Sequence, residues 1–442
     1  MSSEWTVCRL AELINVKHGF AFKGEYFSDA PTLYQLTTPG NFAVGGGFQT
    51  GKGKYYSGPI PEDYILCSGD VIVTMTDLSK AADTLGYAAV VPKSNGTIWL
   101  HNQRVGLIEI KPNAPVNLAY LQYLMRSNDY RHWVVSSATG STVKHTSPGR
   151  ICEFECKLPS AGDQKEIACV LGALDDRIAL LRETNTTLEA IAQTLFKSWF
   201  VDFDPVHAKQ QGHEPEGMDS ETAALFPDSF EESELGLVPR GWQIGNVADI
   251  GEVICGKTPA TSEPANYGDD VPFITIPDMH GLLAIISTKR SLSVQGANTQ
   301  RKKTLPIGSI CVSCIATAGL VARVTTPSQT NQQINSVVPF TKWGNSFPLF
   351  TLRRIGDAVR AGGSGGSVFH NLNKSGFEQL KVLFPSEQLA LAFNNIVEPI
   401  VEKIIANQKQ ALTSEDLRDT LLPRLISGQL RLPEPEEMLE KE

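Results

Sequence analysis

The chain has 442 residues, 41% of them hydrophobic and 20% charged, which is the composition of an ordinary soluble globular protein with length for two or three cored domains. No apolar run of about 18 residues suggests a membrane span, and the N-terminus MSSEWTVCRL lacks an apolar signal core, so a cytoplasmic protein is expected. The net charge of −9 speaks against nucleic acid only until it is divided along the chain: Asp202–Pro239 holds ten acidic residues and one basic, and Pro433–Glu442 five acidic and one basic, leaving 37 basic against 33 acidic elsewhere.

Residues 1–158 are rich in Val, Ile, Tyr and Gly, with short apolar runs broken by Gly, Pro and Asn. That pattern predicts a β-rich mixed domain with few helices, of which LAYLQYLMRSNDYRHWV from Leu118 is the clearest. Residues 159–201 predict one long helix. Leu171, Leu174, Ile178, Leu181, Leu188, Ala192 and Leu195 recur at alternating spacings of three and four, a single stripe facing a partner helix. Asn185 is the one polar residue on that stripe. Buried there it costs stability but fixes register, provided a partner Asn satisfies it.

Residues 202–239 read as an acidic, Pro/Gly-punctuated linker. The aromatics at its start, Trp199, Phe200 and Phe203, are expected to pack against a domain or a partner. Residues 240–384 form a second β-rich domain. Cys311 and Cys314 make a C-x-x-C within a strand, where positions three apart face opposite sides, and no second pair accompanies them, so a zinc site is not expected. Cys152 and Cys156 read as small buried apolar groups. Residues 385–428 predict the second long helix, with Phe393, Ile396, Ile400 and Ile404 leading to Asn407, the expected mate of Asn185, and then Ala411, Leu417 and Leu421. Pro159-Ser160 and Pro385-Ser386 supply matching N-terminal caps. Residues 429–442 are an acidic tail. The simpler alternative is that each helix packs only on its own domain.

Self-comparison shows that the two halves follow one plan. Residues 5–19 match 242–256, with Trp5 against Trp242 and Gly19 against Gly256. SGDVIVT from Ser68 is echoed by IGSICVS from Ile307, and HNQRVGLIEI from His101 by TNQQINSVVP from Thr330. GSTVKH, ending at His145, is echoed by GGSVFH, ending at His370. The expected fold is therefore α+β: two β-rich mixed domains, each followed by a long helix, the helices pairing as an antiparallel coiled coil with pseudo-twofold symmetry.

Several stretches resemble the specificity subunit of type I restriction-modification systems. They are LPSAGDQKEIACVLGALDDRI, TLFKSWFVDFDPV, LGLVPRGWQIGNVADIGEVICGKTP, LRDTLLPRLISGQLRL and GFAFKGEYF from Gly19, and together they cover essentially the whole chain. One departure is Lys403, where a heptad aligned on Asn407 would place an apolar residue, Ile404 taking its role. The resemblance implies a non-catalytic protein whose two target recognition domains each read one half of a split, asymmetric site in double-stranded DNA. It implies two methyltransferase (modification) subunits and restriction/translocase subunits as partners. It also implies no cofactor on this chain, with S-adenosylmethionine, ATP and Mg on the partners. Helices on the order of 50 Å long would then act as a ruler between half-sites. The same architecture in a methyltransferase-only or other phage-defence assembly is the nearest alternative, and a non-DNA coiled-coil scaffold with two protein-binding modules a more distant one.

Catalytic constellations are missing from the sequence. It has no G-x-x-x-x-G-K-[ST] phosphate loop and no Asn/Asp-Pro-Pro-aromatic motif. Asp175-Asp176 sits mid-helix and reads as a solvated face. The glycine-rich run Gly362–Gly366 lacks a following Lys and reads as a turn. Groove reading wants Arg, Lys, Asn or Gln at loop tips, and phosphate anchoring wants Lys, Arg, Ser and Thr. The expected DNA-binding residues are Lys23, Tyr26, Lys52, Lys54, Thr142, Lys144 and His145 in the first domain. In the second they are Lys257, Thr258, Arg301, Lys302, Lys303, Ser367 and His370. Asn102-Gln103 and Asn331-Gln332 recur in both copies and are expected to be structural, because residues that specify different half-sites should differ. The exposed helix faces, with Trp199 and Phe200, are expected to hold the methyltransferase subunits, burial of the two aromatics against the recognition domain being the rival.

Overall fold

The structure, a computed structural model, describes residues 5–50, 53–79, 81–93, 96–315, 317–360 and 372–432. Its contacts fall into two units: Met1–Ile178 with Thr413–Glu442, and Ala179–Leu412. The sequence places domain boundaries at the ends of the long helices, whereas the contacts divide both helices, so each unit contains a piece of each helix.

In the first unit, strand Thr6–Arg9 pairs antiparallel with Glu155–Leu158, the strand that leads into the first long helix. The central sheet runs Ile14–His18, Val105–Ile110, Val71–Thr74, Ala88–Val90, all neighbours antiparallel. Val71, Ile72, Val73 and Thr74 are all β-branched and all buried, which suits a strand covered on both faces. A smaller sheet, Phe27–Ser28, Lys54–Tyr56, Tyr34–Leu36, Ile98–Leu100, packs its aromatic rings around Phe22 and Tyr56.

The second unit repeats the plan. Gln243–Asn246 pairs with Lys381–Phe384, and its main sheet runs Gly251–Cys255, Ile334–Pro339, Ile310–Ser313, Val321–Val324, Ala284–Ile285. The repeat reaches single hydrogen bonds: Phe20 N–H donates to the His101 carbonyl at 2.9 Å, and Lys257 N–H to the Thr330 carbonyl at 2.9 Å. It also explains the matched glycines. A Cβ on Gly19 would lie 2.1 Å from the Asn102 carbonyl oxygen, and one on Gly256 2.1 Å from that of Asn331. Neither approach leaves room for a side chain.

The long helices are Ala161–Phe200 and Glu387–Ile426, 40 residues each. Ser160 Oγ accepts from Asp163 N–H at 3.1 Å and Ser386 Oγ from Leu389 N–H at 3.2 Å, so both serines cap as their positions suggest. In the second unit Phe196 meets Phe393 at 5.8 Å between ring centroids, while Asn407 Nδ2 donates to Asn185 Oδ1 at 2.9 Å. Ascending numbers on one helix meet descending numbers on the other, so the two run antiparallel. Asn185 Nδ2 donates onward to the Ile404 carbonyl at 3.1 Å. Leu188, Leu195 and Ile400 pack at the edge of a core that contains Ala192, Phe393 and Ile404. In the first unit Leu171 is in a core with Leu422, Leu425 and Ile426; Ile178 is buried, and Leu174, like Leu181 in the second unit, is half-buried.

Several expectations are corrected. Ile396 and Leu417 are 41% and 47% exposed and lie off the stripe, which runs instead through Val397 and Val401. From Phe393 to Ile404 is three turns, and steps of three or four fit both phases; the β-branched Val397 and Val401 decide it by filling the interhelical seam. Asp175 is not on a solvated face: its carboxylate accepts from Tyr123 Oη at 2.9 Å, Arg126 Nη1 at 2.8 Å and Arg418 Nη1 at 2.8 Å.

The acidic stretch expected as a linker folds onto the second unit, with helices Asp204–Gln210 and Ser220–Ala224 and a hairpin pairing Phe230–Ser233 with Gly236–Pro239. Val206 and Phe226 sit in that unit's core, with the charges outside. Trp199 and Phe200, each 4% exposed, are in the same core and so are closed to a partner.

The helix ends exchange roles. Phe196, Trp199 and Phe200 from TLFKSWF belong to the core of the second unit, and Leu422, Leu425 and Ile426 from TLLPRLI, which hold the equivalent places in the repeat, belong to that of the first.

Candidate nucleic-acid interface

In the first unit the TGSTVKH turn is tied to the loop that follows the central strand Val71–Thr74. Strand Lys144–His145 pairs antiparallel with Thr76–Asp77, and Thr146 N–H donates to the Met75 carbonyl at 3.0 Å. His145 Nδ1 lies 3.1 Å from Thr76 Oγ1. Thr142 and His145 are exposed and Lys144 half-exposed, so the turn presents a cation and two hydrogen-bonding groups on a hydrogen-bonded base.

Asp77, buried beneath that base, organises the loop. Its carboxylate accepts from Ser79 N–H at 2.6 Å, Thr84 N–H at 2.5 Å, Thr84 Oγ1 at 2.8 Å and Leu85 N–H at 3.0 Å. Burial alone would raise its pKa, but these donors outweigh burial and hold it below the ordinary carboxylate value, so Asp77 is ionised at neutral pH.

The other first-unit residues are more scattered. Lys23 is exposed and 3.6 Å from Glu25, an ion pair too solvated to order it. The Tyr26 ring packs on Gly58 and edge-on to Tyr56, which gives it a packing role. Lys54 is exposed, its ammonium 5.4 Å from the Phe27 ring centre. Lys52 lies outside the described residues.

In the second unit several expected residues converge around Gly256. Lys257 is exposed and its N–H is spent on Thr330; Thr258 Oγ1 donates to Gln332 Oε1 at 2.7 Å. Lys303 Nζ donates to the carbonyls of Cys255 at 2.7 Å and Gly256 at 3.3 Å, so its charge fixes the backbone beside Lys257. Arg301 and Lys302, on the same short turn, are exposed. Ser367 and His370, with the glycine run before them, lie outside the described residues.

The recurrent Asn-Gln pairs are part of the frame: Gln103 N–H donates to the Phe20 carbonyl at 2.9 Å, and Asn331 Oδ1 accepts from Gln333 N–H at 3.0 Å. His101 is fully buried, and burial pushes its pKa down to about 4, leaving a neutral ring whose Nε2–H donates to the Val105 carbonyl. Burial pushes the Cys311 thiol up to about 12 and the Cys314 thiol to about 11, which leaves both protonated and unsuited to metal. Among the described residues no group of three His, Cys, Asp or Glu side chains is placed to hold a metal ion, and no helix is long and apolar enough to cross a membrane.

Sequence reasoning missed Asp77. Apart from the Ser79 N–H two residues on, its partners, the Thr84 and Leu85 N–H groups and the Thr84 hydroxyl, lie on the far side of a loop and leave no trace in spacing. The only signal was the stretch's position between two matched strands with no counterpart in the other copy.

A family model described as type I restriction modification DNA specificity domain matches the chain twice, over residues 2–190 and 239–412. The type I restriction enzyme HindI specificity subunit of Haemophilus influenzae is 38% identical over 364 residues, 73% of this chain and 79% of that one. The MjaIX specificity subunit of Methanocaldococcus jannaschii is 26% identical over 389 residues, 83% and 80% of the two chains. Among solved structures, the S subunit of a type I restriction-modification system from M. genitalium is similar in fold, with a TM-score of 0.57 at 14% identity and 96% of each chain covered.

Proposed function

This chain belongs to the type I restriction-modification DNA specificity family, and we propose that it reads a split, asymmetric target in double-stranded DNA, one half-site to each unit. It is the DNA-recognition component of such a complex, not its catalyst, and it assembles with the system's other subunits. In our reading those are two methyltransferase subunits, which carry S-adenosylmethionine, joined by restriction/translocase subunits that use ATP and Mg, all in the cytoplasm of a prokaryotic cell. The observation that carries the asymmetric target is the internal repeat: one hydrogen-bonded frame occurs twice, while the surface residues mounted on it differ. A protein that reads the same bases twice would have no need of different loops.

The test is to purify the tagged protein from its host with its partners, and to map methylated bases in host DNA with and without the gene. Recovery of a methyltransferase, with loss of methylation at a single two-part, non-palindromic motif, is expected. Recovery of other proteins with an unchanged methylation map would overturn the proposal and favour a scaffold.

A further inference from the structure

The strand pair at the heart of each unit is closed by the same two hydrogen bonds. In the first unit Thr74 N–H donates to the Tyr87 carbonyl at 3.1 Å and Gly86 N–H to the Thr74 carbonyl at 2.9 Å. In the second, Ser313 N–H donates to the Leu320 carbonyl at 2.9 Å and Gly319 N–H to the Ser313 carbonyl at 2.9 Å. Even the hydroxyl is shared: Thr74 Oγ1 donates to the Thr76 carbonyl at 2.9 Å and Ser313 Oγ to the Thr317 carbonyl at 2.6 Å. Between these matched closures the first unit inserts eleven residues, Met75–Leu85, and the second only five. The frame is common and the insertion is not.

The longer loop is held by more than its ends. Asp77 gathers four donors from across it, as described above. Ala82, a non-glycine residue at φ 55°, is buried with its carbonyl accepting from Arg131 Nη2 at 2.8 Å, and that guanidinium stacks 4.0 Å over the Tyr87 ring. A left-handed alanine is strained and persists only where its surroundings impose it. On this rigid base Leu78 stands 62% exposed, directly after Asp77, the residue paired with Lys144. An aliphatic side chain held out beside a basic turn has one partner in the DNA major groove, the C5-methyl group of thymine.

We propose that Leu78 contacts a thymine methyl in the half-site read by the first unit, with Asp77 the positioning residue that holds its loop in reading geometry. The inference rests on the DNA-reading function proposed above and specifies one base contact within it.

The complex containing this chain and its partner subunits is used throughout, and the methylated motif of the wild type is mapped first. Duplexes are then prepared in which the thymines of each half-site are replaced, one at a time, by deoxyuridine, which removes only the methyl. One substitution in one half-site is expected to weaken wild-type binding about fourfold, the worth of one buried methyl-sized group, and to leave Leu78→Ala unaffected because the contact is already gone. Asp77→Asn should weaken binding to the same half-site and blunt the same deoxyuridine effect, while the other half-site keeps its full discrimination. That split separates a positioning role from general unfolding. If deoxyuridine at every thymine affects wild type and Leu78→Ala alike, the contact is refuted while DNA reading stands. If the wild-type complex binds no split motif, the parent reading fails, and this one with it.

Discussion

Asp175 shows how much one side chain can join. It lies on the first long helix and accepts from Tyr123 and Arg126 of the recognition domain and from Arg418 of the second helix, all within the first unit. Burial pushes its pKa up, but the Arg126 charge and the Arg418 and Arg126 hydrogen bonds more than reverse that, and the carboxyl stays ionised below the ordinary 3.8. A depressed carboxyl stabilises the fold above its unfolded pKa and loses that contribution as pH falls through the folded value. Asp175→Asn should therefore cost on the order of 3 kcal/mol at pH 7, because it leaves the 2% exposed Arg126 guanidinium without its counter-charge, its Nε still bonded to the Gly45 carbonyl. In urea melts the deficit should shrink steadily below about pH 4; a deficit that does not change with pH would assign the effect to packing. Lys144 offers a prediction of a different kind. It is half-exposed, and although Asp77 lies opposite it on the strand pair, that carboxylate is taken up by Ser79, Thr84 and Leu85, so the Lys144 ammonium is suited to a phosphate. Lys144→Ala in the assembled complex should weaken binding to all sequences alike and flatten the log–log salt dependence by about 0.9, the share of one phosphate contact. Equal slopes in a salt titration would remove it from the interface.

The Asn185–Asn407 pair carries the argument from residue to element. Asn407 is 1% exposed, so its amide depends on Asn185, and Asn185→Leu should cost about 1–3 kcal/mol by leaving it unsatisfied. Replacing both with Leu removes the unmet groups and should recover most of that loss, while releasing the register that the pair imposes. A double-mutant cycle by chemical denaturation measures the coupling, and additive losses would deny the pair any joint role. The pair was legible because a lone Asn on an apolar stripe demands a mate. So were the caps, the matched glycines and the strands echoed between the copies, each of which depends on local sequence or on its echo in the other copy. The phase of the second stripe was not: Ile396 and Val397 are both apolar, and only packing chooses between them. Nor was the folding of residues 202–239, where Val206 and Phe226 are two apolar anchors diluted among ten acids. Of the candidate interface, the turn ending at His145 could be picked out from its echo in the other copy, but Asp77 and Leu78 could not, because the loop that carries them has no counterpart there.

At the scale of the whole molecule, the division of the chain differs from the division of the fold. Read linearly, residues 1–201 are a recognition domain with its helix, a plausible self-sufficient half. In the structure that half lacks Leu422, Leu425 and Ile426, which complete the first core at 7%, 0% and 7% exposure. It carries instead Phe196, Trp199 and Phe200, which belong to the second core. Expressed alone, the fragment would leave an open core at one end and three bare aromatic rings at the other, together with an unmatched Asn185. The repeat supplies a remedy, since Phe196, Trp199 and Phe200 hold the places in their copy that Leu422, Leu425 and Ile426 hold in theirs. A second molecule of the fragment, running antiparallel, could offer its aromatic end to the open core of the first. Light scattering after gel filtration should find residues 1–201 as a dimer or larger, and adding a peptide of residues 413–432 should compete with self-association. A monodisperse monomer with the cooperative melt of the intact chain would mean that the closing residues on the second helix are dispensable, and that the first core is complete without them.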